Sequence, residues 1–127
     1  MKKLIVLLAL VVCATSALAQ DKYKVYCSIM GYEKELKNGE VDVKIDYGQS
    51  NLQKNWLVDS EGNELKFKTM ISVLNYMSKL GWCLEESTHS TNKITGNLIS
   101  VWILSKDVNN DNEITNGFQT RLMFEQK

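Results

Sequence analysis

The 127 residues include no proline, a single histidine and three cysteines. Each scarcity removes a class of explanation. Without proline, turns fall to glycine, asparagine and aspartate. No proline- or serine-rich linker divides the chain, and there is no internal repeat or low-complexity tract. No zinc-spaced Cys/His set accompanies His89. Gly-x-Ser-x-Gly, phosphate-loop and dinucleotide patterns are also missing. The sequence therefore assigns no catalytic, cofactor-binding or metal residue, and no cofactor.

What is present begins at the start of the chain. Lys2 and Lys3 precede a nine-residue apolar run, 4–12, and Ala17-Leu18-Ala19 follows it. Positive start, short apolar segment and small-x-small site are the parts of a secretory signal. The run is too short to span a bilayer, which takes about 20 residues. The reading is a signal peptide over 1–19, cleavage before Gln20, and an exported protein, periplasmic or secreted. Lipidation at Cys13 competes with it, but the residue before a lipidated cysteine should be small and is Val12, so the Ala-x-Ala site is preferred. Cleavage leaves 108 residues, 20–127, enough for one α+β domain with a modest core. The balance becomes 13 basic against 15 acidic residues, a formal charge of −2. With no basic run, this argues against nucleic acid as a partner. No polybasic or strongly amphipathic stretch suits an anionic membrane surface, and no later apolar run is long enough to span one.

Residues 23–32 are rich in Tyr, Val and Ile and are expected to form a strand with Tyr23, Val25, Cys27 and Ile29 inward. In 40–47, Val41, Val43, Ile45 and Tyr47 alternate with Glu40, Asp42, Lys44 and Asp46, the pattern of a half-exposed antiparallel strand. Residues 56–58 and 65–67 flank a turn-rich segment and suggest a short hairpin. Thr69 can cap a helix on which Met70, Val73, Leu74, Met77 and Leu80 recur at helical spacing, and Gly81 suits its C′ position. A strand starts over 82–86. A polar stretch, 87–97, then leads to a strand over 98–105, apolar on both parities and hence central. Asn110 with Glu113 resembles a capping box, and Ile114, Phe118 and Leu122 fall four apart, so a C-terminal helix is expected from Asp111. A strand over 120–124 is the alternative. The expected fold is α+β: an antiparallel sheet of four or more strands, one main helix on one face, and a C-terminal helix.

Leu74-Asn75-x-Met77-Ser78-x-x-Gly81-Trp82-x-Leu84, followed by Trp102-Ile103-Leu104-Ser105-Lys106, resembles the core of a family of short bacterial proteins of unknown function. That family runs strand, helix, strand, strand. Its helix closes on a Leu-Asn-x-Leu-Gly-x-x-Gly-Trp-Glu-Leu pattern and its last strand on an Ile-Leu-Lys-Arg-like run. The resemblance spans residues 70–106 and departs at Ser78, Cys83 and Ser105. It implies an α+β fold and carries no biochemical role.

Four groupings of side chains invite a chemical reading. Cys27 and Cys83 could pair in an oxidising compartment, but strand phase turns Cys27 inward and Cys83 the other way. A Cys83/His89 nucleophile pair is disfavoured by the same geometry, and Glu85-Glu86 reads as solvated surface. Asp107, Asn109 and Asp111 occupy the first, third and fifth places of a calcium-loop pattern. However, Asn112 stands where the turn wants glycine, and Phe118 where the bidentate carboxylate belongs, so a capping loop is preferred to a metal site. Tyr26, Met30 and Tyr32, with one parity of the 98–105 strand, form a second, partly apolar sheet face. The leading expectation is a non-enzymatic binding or interaction module using that face, with an unidentified protein or small ligand as partner and no assigned oligomeric state. A small-molecule or glycan carrier, for which Trp56 is a candidate contact, is the second reading. A small hydrolase is the third.

Overall fold

The computed structural model describes residues 21–33 and 40–127. The signal pattern, Cys13 and the 34–39 connection lie outside these. The elements in chain order are β1 (Tyr23–Glu33), β2 (Val41–Asp46), β3 (Leu57–Val58), α1 (Met70–Lys79), β4 (Cys83–Thr91), β5 (Leu98–Val108), a 3-10 turn (Asp111–Glu113), β6 (Gln119–Thr120) and α2 (Arg121–Glu125). The main sheet runs β2-β1-β5-β4, antiparallel at every pairing, and β3 pairs with β6 in a second, two-stranded sheet. This is the expected α+β architecture. A strand-helix-strand-strand order is carried by β1, α1, β4 and β5, with β2 and β3 placed between β1 and α1.

Local chemistry sets the ends of α1. The Thr69 hydroxyl accepts from the Ser72 backbone N–H at 3.1 Å and Ser72 reciprocates at the Thr69 N–H, closing a capping box. At the other end Gly81 has φ +94°, its N–H reaches the Ser78 carbonyl, and the Trp82 N–H reaches Met77. Those paired bonds form a Schellman motif, which needs a left-handed residue and so favours glycine. They also deliver the Trp82 indole, 1% exposed, into the core.

Alternation builds the rest of the core. Cys27 and Ile29 on β1, Val41, Val43 and Ile45 on β2, and Trp102 and Leu104 on β5 meet Met70, Val73 and Met77 of α1. Each fully buried aliphatic side chain of this kind contributes about 1.5–3 kcal/mol. From the C-terminal segment, Phe118 joins this cluster and lies edge-on to Tyr47.

The structure corrects two expectations. Residues 87–91 are not connecting loop but the second half of β4, in register with β5 from Ser87↔Trp102 to Thr91↔Leu98. β4 is an edge strand whose nine residues are all exposed, so it carries no burial periodicity to betray it. Likewise, the C-terminal helix begins at Arg121 and not at Asp111. Asn110 caps only a single 3-10 turn, and Gly117, at φ +89°, ends the segment. A Cβ there would also meet Leu80 Cδ2, so both the left-handed backbone and the packing favour glycine at this reversal. Thr120 then caps α2 through the Met123 N–H.

Cys27 and Cys83 are both free thiols, one buried and one exposed, as strand phase requires. Cys83 is opposite Ser105, and Ser105 is opposite Tyr26, so two strand spacings, about 10 Å, separate β4 from β1. A disulfide cannot bridge that span.

Candidate functional site

Two surfaces have the shape and chemistry to bind something. The first is the sheet face opposite α1. Register places its residues in rows across the four strands. Asp46, Ser28, Ile103 and Glu86 form one row, Lys44, Met30, Val101 and Thr88 the next, and Asp42, Tyr32, Ile99 and Ser90 the third. The two central strands therefore supply an apolar stripe of Met30, Tyr32, Ile99, Val101 and Ile103, while the outer strands supply a polar and charged rim. Tyr26, 57% exposed, extends the stripe at one end.

Its polar groups are tied to one another. Lys44 Nζ stands 5.5 Å from the Tyr32 ring centroid, a cation-π distance. Ser105, buried on this face, donates its hydroxyl to Glu85, whose carboxylate is also 3.8 Å from Lys24 Nζ. Glu85 reaches this face because the register slips between Leu84 and Glu86, a bulge in β4. At the β2 corner, Leu52 and Asn55 join Ser28, Met30, Lys44 and Asp46 around a depression of about 280 Å³.

The second surface is a groove of about 470 Å³ between the β3 turn, α1 and the C-terminal segment. Val58, Leu65, Tyr76 and Phe118 supply apolar walls, and Asp59, Ser60, Gln119 and Lys127 supply polar groups. Burial pushes the Tyr76 phenol up, so its hydroxyl stays neutral. Asp59 is held below the usual carboxylate range by backbone N–H groups, that of Asn63 first and that of Glu61 after it, each 2.9 Å from Oδ1. Gln119 donates its side-chain amide to the Asp59 carbonyl, locking the groove wall to the turn. Sequence reasoning did not find this groove. Its walls come from positions 58, 76 and 118, which only the β3–β6 pairing and the packing of Phe118 bring together.

His89, Glu85 and Asp107, the side chains a hydrolase would need to gather in one pocket, are dispersed. His89 accompanies Ser100, with Nδ1 2.9 Å from the hydroxyl, and lies edge-on to Trp102 on the α1 side of the sheet. Glu85 is committed to Ser105 on the opposite side. Asp107 is opposite Lys24 at the far end of β5 and joins neither.

In the calcium-like segment Asp111 accepts from a protein donor, and Asn109 is itself a donor. Tyr23 donates its hydroxyl to Asp111. Glu113 takes the Asn109 backbone N–H at 2.7 Å and the Asn109 amide at 3.3 Å, which holds its carboxyl below the usual range. Asn110 accepts from the Asn112 N–H at 3.1 Å. Among the described residues no three of His, Cys, Asp and Glu cluster at metal-binding range. Trp56 is half-buried, bridging Lys44 and taking the Arg121 N–H on its carbonyl.

No helix among the described residues is long and apolar enough to cross a membrane. No family model, curated protein or solved structure matches the chain.

Proposed function

We propose that the chain is an exported, non-enzymatic binding module of the bacterial envelope or exterior that engages a protein partner through the sheet face opposite α1. The observation that carries this reading is the layout of that face, an apolar centre on β1 and β5 rimmed by charged and polar side chains on β2 and β4. Protein interfaces share that anatomy, and the aromatic Tyr26 and Tyr32 and the adaptable Met30 are side-chain types enriched in them. Export rests on the signal pattern of residues 1–19, and kinship with the family of short bacterial proteins rests on the motif in 70–106. The dispersion of His89, Glu85 and Asp107 weighs against hydrolysis.

The test is capture from an envelope extract of the host on immobilised protein, with Tyr26→Ala/Met30→Ala alongside. The double variant is expected to lose at least about tenfold of the partner held by the unaltered chain, since truncated interface aromatics commonly cost more than 1.4 kcal/mol. Equal retention by both would remove the outer face from consideration.

The groove favours a second reading, a carrier of a small amphipathic ligand. Its two aromatic walls and single polar side match a planar apolar body with one hydrogen-bonding end. Fluorescence of a naphthalene-sulfonate probe should rise with the folded chain and fall with Leu65→Asp. No difference between the two would count against the groove as a ligand site.

A further inference from the structure

The groove between the β3 turn, α1 and the C-terminal segment has walls that are braced before anything enters it. Tyr76 lies edge-on to Phe67 with 5.5 Å between ring centroids, and Phe118 lies edge-on to Tyr47 at 5.6 Å. Each aromatic wall is held from behind by a second ring, so a ligand need not order it on binding. The volume of about 470 Å³ is that of a small-molecule site.

The charge such a ligand should carry follows from which polar groups of the lining are still free. Asp59 is committed to its own turn. Its Oδ1 accepts the Glu61 and Asn63 backbone N–H groups, each at 2.9 Å, and its carbonyl accepts the Gly62 N–H at 3.1 Å and the Gln119 amide. The turn therefore answers the negative charge of Asp59, and it occupies Gln119 as a donor. The Tyr76 hydroxyl, kept protonated by burial, makes no hydrogen bond among the described residues.

Lys127 is the one cation in the lining, and it joins no ion pair among the described residues. Its backbone N–H reaches the Phe124 carbonyl at 3.4 Å and its Nζ stands 5.9 Å from the Phe124 ring centroid, which places it at the rim. The free groups are thus donors. An ammonium has three donors and no acceptor, and a carboxylate or sulfonate is its converse.

We propose that the groove takes a small amphiphile with one negative charge, a carboxylate or sulfonate, its apolar body against Tyr76 and Phe118 and its anion toward Lys127. This rests on the reading of the groove as a carrier site and adds the charge of what is carried. A neutral ligand would leave Lys127 unused. A cationic one would meet Lys127 with Asp59 already engaged.

Two fluorescent probes that share a ring system separate the charge from the groove. Anilinonaphthalene sulfonate carries the anion, and phenylnaphthylamine is the same body without it. Both are expected to bind the folded chain. Lys127→Gln, at an exposed position, should weaken the sulfonate about fivefold and leave the neutral amine unchanged. Lys127→Arg should keep the affinity of the unaltered chain. So should Lys93→Gln, which removes the same charge from the β4–β5 turn. If the amine binds alone, if Lys127→Gln leaves the sulfonate unchanged or weakens both probes alike, or if Lys93→Gln weakens the sulfonate as much, the groove stands and its preference for an anion falls. If neither probe binds the unaltered chain, the carrier reading falls and this proposal with it.

Discussion

The two faces of β1 and β5 are cut from the same strands and differ only in parity. On one, Cys27, Ile29, Trp102 and Leu104 are sealed by α1. On the other, Met30, Val101 and Ile103 are comparably apolar yet remain partly exposed beside a charged rim. Hydrophobic character is therefore shared by both faces, and coverage distinguishes them. The inner face spends its apolar surface on folding, while the outer face leaves its own partly in water.

The sharpest test of this contrast is the pair of thiols. Burial pushes Cys27 up to about 12, whereas Cys83 is exposed. An alkylating reagent at neutral pH should modify Cys83 at once and Cys27 at least about a thousandfold more slowly, since its modification waits for unfolding. Comparable rates would mean that the inner face is open.

Next in size is Trp82→Ala, which empties the joint between α1 and the sheet and should cost about 3–5 kcal/mol in chemical denaturation. Gly117→Ala forces a side chain into a left-handed conformation against Leu80, and a loss of about 1–2 kcal/mol is expected. A fully tolerated alanine would break the account of the chain reversal. Smallest is Val101→Thr on the outer face, which should change stability by no more than about 0.5 kcal/mol. A loss as large as that of Trp82→Ala would place Val101 in a core and erase the distinction between faces.

A pH effect belongs with the groove. Because backbone donors lower the Asp59 carboxyl in the folded chain, the stability it contributes is present above the ordinary value of 3.8 and fades as pH falls through the lowered one. The melting temperature of Asp59→Ala should accordingly fall less steeply than that of the unaltered chain as the solution is acidified below that value.

These outcomes also mark what could be read from residues alone. β2 was legible because its Val41, Val43 and Ile45 alternate without a fault, and α1 because Thr69 and Gly81 mark its two ends. β4 was legible only over its first residues. An edge strand exposed on both faces is selected by backbone pairing to β5, and Ser-Thr-His-Ser-Thr has the composition of a loop.

The tail misled for a related reason. Asn110 and Glu113 have the spacing of a capping box, but Glu113 turns to the Asn109 N–H and the helix does not propagate. β3 and β6 have two residues each and find one another across some sixty positions, which leaves no local pattern to detect. The outer face was visible in the sequence because it needs only parity. The groove needs the tertiary fold.

The proposed function stands or falls on a protein partner held by the face opposite α1. Native mass spectrometry of the protein taken from its host's envelope, beside a Val101→Lys variant prepared in the same way, tests it most directly. A chain starting at Gln20 with a retained companion protein is expected, together with a variant that is folded but stripped of it. A bare chain in both preparations, or the same companion in both, would contradict it.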